Sequence, residues 1–122
     1  MSKSIVLFDQ SPPRKATYSV SLEEFGFDVL AIQDFDRLAQ VLQEPGVTGL
    51  VFSVPDEIAA SEQHSWAQNT LQSLAVGLPT VILLDEFEFL DNGAHQNVLV
   101  KRPCGLTELI SSVYQALGLK VT

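Results

Sequence analysis

Three aspartates stand at or just beyond the ends of apolar runs, where side chains from separate strands can converge. Asp9 follows Ile5-Val6-Leu7-Phe8, Asp56 comes two residues after Val54, and Asp85 follows Thr80 to Leu84. The chemistry such a set suggests is cation binding, because a hard divalent ion takes roughly six oxygen ligands, carboxylates foremost. Asp9 and Asp85 would form a small acidic pair. Asp56 and Glu57 could add an oxygen from their loop, although carboxylates there more often serve a helix N-terminus. Ser53 offers a hydroxyl beside them, but no base is evident for it, and a hydroxyl at its free pKa is a poor nucleophile. His64 and His95 lack the spacing of metal ligands. Cys104 is the only cysteine, which excludes an internal disulfide and a cysteine-based zinc site and fits a reducing compartment. It reads as a small buried hydrophobe.

The elements that position these residues follow from hydrophobic patterning. Gly49-Leu50-Val51-Phe52-Ser53-Val54 is too short for a helix and too apolar for a surface strand, so it reads as the buried central strand of a parallel sheet. Ser4 to Phe8 and Thr80 to Leu84 are similar runs, and Asp28 to Ile32 and Asn97 to Lys101 complete five strands. Between them the sequence predicts a first helix over Lys15 to Phe25, with Ala16, Val20 or Leu22, and Phe25 inward. Pro12-Pro13 delays its start, and Gly26 ends it. A second helix over Phe35 to Gln43 is capped by Asp34 and buries Leu38, Val41 and Leu42. A third, capped by Asp56 or Ser61, runs to Ala75 with Trp66, Leu71, Leu74 and Ala75 inward. The acidic, aromatic stretch Asp85 to Asn92 holds at most a short or irregular fourth helix. The last helix runs from Leu106 to Leu117, with Leu106, Leu109, Ile110, Val113 and Leu117 at helical spacing and Gly118 as its stop. Strand–helix alternation repeated five times implies a three-layer α/β sandwich, a parallel sheet with helices on both faces.

The 122 residues, 46% hydrophobic and 18% charged, suffice for one packed domain over the whole chain without disulfides. The net charge of −8, from 15 acidic against 7 basic residues, disfavours direct nucleic-acid contact, which needs clustered cations. No apolar run approaches the ~20 residues of a membrane span, so a cytoplasmic setting is expected.

This order of elements, with Arg102-Pro103 after the fifth strand and Leu106, Glu108 and Leu109 opening the last helix, resembles the receiver domain of bacterial response regulators along essentially the whole chain. The resemblance implies a flavodoxin-like sheet of strand order 2-1-3-4-5. It also implies an acidic pair after strand one, a phosphoryl-accepting aspartate at the tip of strand three, a threonine or serine at the tip of strand four, and a lysine-proline after strand five. In that family a magnesium ion held by the acidic residues supports phosphoryl transfer. Here Asp9 matches the first acidic residue, but Gln10 stands at the second. The acceptor position falls on Val54, or on Ser53 with a one-residue slip. The switch hydroxyl falls on Leu84 or Asp85, and the lysine on Arg102, with Lys101 one residue earlier.

The expectation is a degenerate receiver with no catalytic residue, metal or cofactor, acting by protein contact in signal transduction or transcription control. Asp9 would cap a turn or pair with Lys101 or Arg102. Phe87, Phe89 and Leu90, with Trp66 as a further candidate, offer an interface, and self-association as a homodimer through the region from Phe87 to Leu117 is expected. An attached output domain is compatible with this. The competing readings are a divergent working receiver built on Asp9, Asp85 and Asp56, and a small flavodoxin-like cofactor carrier. The carrier reading lacks a phosphate-cradling loop, since Ser11-Pro12-Pro13 follows strand one.

Overall fold

The computed structural model describes residues 3–74, 76–85 and 97–119. Its five strands are β1 (Lys3–Phe8), β2 (Phe27–Ile32), β3 (Val47–Ser53), β4 (Thr80–Leu84) and β5 (Asn97–Lys101). They form one parallel sheet in the order β2-β1-β3-β4-β5. The expected fold class, strand order and five strand positions therefore hold. The four helices of the described residues are α1 (Pro12–Glu24), α2 (Leu38–Val41), α3 (Gln63–Ser73) and α4 (Leu106–Leu117).

Alternation along the central strands splits the core into two layers. Ile5, Leu7, Val51, Val81 and Leu83 pack with Tyr18 and Leu22 of α1 and with Leu109, Ile110 and Val113 of α4. Val6, Phe8, Leu50, Phe52, Ile82 and Leu84 pack on the other face with Leu38 and Val41 of α2 and Ala67 and Leu71 of α3. Gly49 permits the close approach of α4 to β3, since a β-carbon there would lie 3.0 Å from Leu117 Cδ2. Gly118 ends α4 with φ +71°, the left-handed stop expected of it.

Three expectations about the helices need correction. Helix α1 begins at Pro12, not Lys15, with prolines in its first two positions. Those amides have no intrahelical partner in any case, so proline costs nothing there. Its buried residues are Tyr18, Ser21 and Leu22, while Ala16, Val20 and Phe25 face solvent. Ser21 tolerates burial because its hydroxyl donates to the carbonyl of Thr17. The second helix opens as a 3₁₀ turn at Phe35–Arg37 and is α-helical only over Leu38–Val41. Asp34 does cap it, accepting from the amide of Asp36 at 2.9 Å. Neither Asp56 nor Ser61 caps the third helix, which is led by a 3₁₀ turn at Ala60–Glu62 with no side-chain cap. Its inward positions are Gln63, Ala67 and Leu71, with Trp66 and Leu74 half-buried. Trp66 stacks on Phe52 at a ring separation of 5.8 Å. Beyond Asp85, the stretch expected to hold the fourth helix, with Phe87, Phe89 and Leu90, lies outside the described residues, as do Ala75 and His95.

Candidate functional site at the strand tips

The C-terminal ends of β1, β3, β4 and β5 deliver Asp9, Ser53, Asp85 and Arg102 to one cleft, because parallel strands in register end on the same side. The loop after β3 adds Asp56, the first turn of α1 adds Arg14, and the start of α3 adds Gln63. Arg14 and Gln63 were not among the residues singled out from the sequence.

Asp9 is fully buried, and both its oxygens are engaged. Arg14 donates Nε to Oδ2 at 2.9 Å and Nη2 to Oδ1 at 3.0 Å, and the Ser11 amide donates to Oδ1 at 2.8 Å. This two-point pairing fixes the guanidinium plane as well as its charge. It explains a local oddity: a basic side chain in the first turn opposes the helix dipole, and the facing carboxylate offsets that. The hydrogen bond to Asp9 holds Arg14 firmly protonated, above the ordinary range of an arginine. Asp9 therefore caps its own turn through the Ser11 amide, one of the two roles expected of it, and its ion-pair partner is Arg14, not Lys101 or Arg102. Arg14 Nη1 reaches on to Asp56 Oδ1 at 3.1 Å.

Arg102 approaches from the opposite side. Its Nε donates to Asp85 Oδ1 at 3.0 Å, and its Nη1 donates to Ser53 Oγ at 2.8 Å and to the carbonyl of Val54. Nη1 also lies 3.6 Å from Asp56 Oδ1. Nη2 is buried and finds no partner among the described residues. The peptide bond from Arg102 to Pro103 is cis. Gln63, wholly buried, ties α3 to β4: its Oε1 accepts from the Asp85 amide at 2.6 Å, and its Nε2 donates to Asp85 Oδ2 and the Ile58 carbonyl, each at 3.0 Å. That amide first, and Arg102 second, hold the Asp85 carboxyl below the usual carboxylate range.

The remaining candidates fall elsewhere. Gln10 and Lys101 point into solvent, whereas Leu84 and Val54 are buried in the core layer beneath α2 and α3. Of the two alternatives for the hydroxyl position, Asp85 faces the cleft. Of the two for the lysine position, Arg102 does. Cys104 is half-buried, 3.9 Å from the Tyr18 hydroxyl, whose pKa burial and this neighbour push up to about 12. Among the described residues no group of three or more acidic, histidine or cysteine side chains is arranged to hold a metal ion.

Several solved structures with this architecture are receiver domains or receiver proteins. The fold is that of a receiver domain. A response regulator receiver protein from Sinorhizobium medicae matches with a TM-score of 0.73 at 18% identity, covering 96% of this chain and 95% of that one. The chemotaxis protein CheY4 of Vibrio cholerae matches with a TM-score of 0.72 at 14% identity, over 96% and 100%. A receiver domain protein from Bacillus halodurans matches with a TM-score of 0.70 at 14% identity, over the full length of both. No family model matches the sequence, and no curated protein matches it significantly.

Proposed function

We infer that residues 1–122 form a receiver-like regulatory domain that is non-catalytic, independent of phosphorylation, and works through protein contact in cytoplasmic bacterial signalling or transcription control. The observation that carries this reading is the two-point pairing of Arg14 with Asp9. A magnesium ion needs free carboxylate oxygens, preferably several converging ones. Here both oxygens of Asp9 face a cation of the chain itself, Gln10 points away, and the acceptor position holds the apolar Val54. The residues present do not fit the metal. Asp56 and Asp85 also face arginines, which removes the support for a divergent metal site built on the three aspartates. Output would then pass through surfaces shared with a partner, a second copy, or an attached domain, with the stretch from Phe87 to Leu117 as the proposed interface.

The test is incubation with Mg²⁺ and acetyl phosphate followed by intact-mass measurement, with a parallel beryllofluoride titration. The expected results are unchanged mass and no saturable response. Val54→Asp should remain unmodified as well, because it supplies an acceptor but frees neither oxygen of Asp9. A stoichiometric phosphoprotein from the unaltered chain would overturn the reading. Sedimentation equilibrium tests the self-association separately, and a monomer at every concentration would remove the homodimer from it.

A further inference from the structure

On the face of the sheet beneath α2 and α3, strands β2, β1 and β3 align Leu30, Val6 and Leu50 in one row and Ile32, Phe8 and Phe52 in the next. Five of these six apolar side chains are buried, and Leu30, at 39% exposed, is not. It points the same way as its row mates yet joins neither layer of the core. The cause is a shortfall of helix. The six residues of β2 extend ~20 Å at about 3.3 Å per residue. The 3₁₀ turn and α2, three and four residues long, together extend ~12 Å at about 2.0 and 1.5 Å per residue. Ile32, at the end of β2 where this helical segment begins, is covered, and Leu30, farther down the strand, is not. Leu42 and Val47, where α2 runs out, are likewise only half-buried. The charges around this shelf are one-sided. Asp28 lies two residues from Leu30 on the same face of β2, Asp34 and Asp36 flank Phe35, Glu44 follows α2, and all four carboxylates are exposed. Arg37 is the only cation between residues 27 and 47. Lys15 of α1 reaches Gln33 at the far end of β2, which still leaves the region net negative.

We propose that this shelf beside α2 is a docking surface for a basic amphipathic helix of another protein. The apolar row of that helix would cover Leu30, and its lysines or arginines would meet Asp28, Asp36 and Glu44. A helix is the occupant that fits, because what the face lacks is part of its helical layer. Leu30 projects from the face of the sheet, not along its hydrogen-bonding edge. Cationic flanks follow from the carboxylates, since complementary charge steers an encounter and like charge suppresses it. A second copy of this chain would bring the same carboxylates against themselves, within a total charge of −8, and is disfavoured for that reason. The surface is built on elements other than those of the stretch Phe87 to Leu117. It also stands or falls independently of how the strand-tip cleft treats phosphate.

The experiment is a titration of isotope-labelled, full-length protein with a peptide of about four helical turns, built from leucine and lysine with the leucines at helical spacing. Saturable amide shifts centred on β2 and α2 are expected. Leu30→Thr keeps a residue suited to a strand and should weaken binding about fivefold, since about two-fifths of the leucine remains to be buried. Asp28→Asn combined with Asp36→Asn changes only exposed groups, so it reads the surface even where Leu30→Thr disturbs the strand. It should weaken binding at low salt and flatten its salt dependence. Leu106→Ser, which alters an exposed leucine on α4 in the opposite layer, should leave the affinity unchanged. Shifts that never saturate would overturn the surface. So would equal affinity for a peptide of the same composition in which leucine and lysine alternate, a period that suits a strand. Binding that neither Leu30→Thr nor the paired asparagines weaken, or that Leu106→Ser removes, would place the helix elsewhere and overturn it too. Sedimentation equilibrium adds a last outcome: a dimer that Leu30→Thr dissolves would give the face to a second copy, against the proposal.

Discussion

Arg14 and Arg102 close the same cleft, yet the two ion pairs are inverted with respect to water. In the first, the acid is the captive charge: Asp9 has no exposed side-chain surface, while Arg14 is 28% exposed. In the second, the base is captive: Arg102 is 3% exposed and Asp85 44%. The Coulombic attraction is similar in kind, but the consequences of losing a partner differ. Removing the solvent-facing member of a pair strands a desolvated charge, whereas removing the buried member leaves a charge that water can take up. Residue for residue, the exposed arginine should therefore matter more to stability than the buried one.

The largest expected effect follows from this inversion. Arg14→Met strands Asp9 and should destabilise the fold by about 3 kcal/mol, measured by denaturant unfolding. Adding Asp9→Asn should recover most of that loss, since a neutral amide tolerates the same burial better. If the single change costs less than about 1 kcal/mol, comparable to one ordinary hydrogen bond, Asp9 is not held as described. Asp85→Ala comes next, at about 1 kcal/mol after allowance for solvent screening of an exposed partner, because Arg102 keeps Ser53 and the Val54 carbonyl. Arg102→Met should likewise cost no more than about 1 kcal/mol, since deleting a desolvated charge and an orphaned N–H offsets the loss of the donor to Ser53 Oγ and the Val54 carbonyl. An Arg102→Met loss as large as that of Arg14→Met would break the comparison.

Acid titration sharpens it further. The folded pKa of Asp85 is depressed by the Gln63 amide and then by Arg102. Its contribution is therefore complete above the unfolded carboxylate value of ~3.9 and is lost as pH falls through the lower folded value. Stability curves of the unaltered chain and Asp85→Asn should differ at neutral pH and converge below about pH 4. A difference that persists unchanged into acid would show that the carboxylate charge plays no part.

The sheet was legible in the sequence because its interior strands are short, nearly unbroken apolar runs, and no other element of that length is buried on both faces. The last helix was legible for a similar reason, with Leu109, Ile110 and Val113 in step and Gly118 as a stop, although Leu106, expected in the same row, is exposed at the first position of the helix. Helix α1 was misread because its apolar residues do not mark its inner face. Tyr18 and Ser21 go in while Val20 and Phe25 stay out, and tertiary packing overrides a weak local pattern. At the site, alignment to the family's positions found Asp9, Ser53, Asp85 and Arg102 but missed Arg14 and Gln63, which that family's pattern does not include. Both left a trace: an arginine in the first turn of a helix lacking any acidic residue there, and a glutamine heading the buried row Gln63, Ala67, Leu71.

The shortness of α2 has its own consequence for how this chain survives at high concentration. One α-helical turn buries Leu38 and Val41 but leaves Leu30 of β2 uncovered, and β2 is an outer strand hydrogen-bonded to β1 alone. A bare strand edge with an exposed leucine is a template for another chain to add to. The shared negative charge of −8 opposes such edge-to-edge addition. Acidification that neutralises the surface carboxylates would remove that repulsion, and aggregation should then begin at β2.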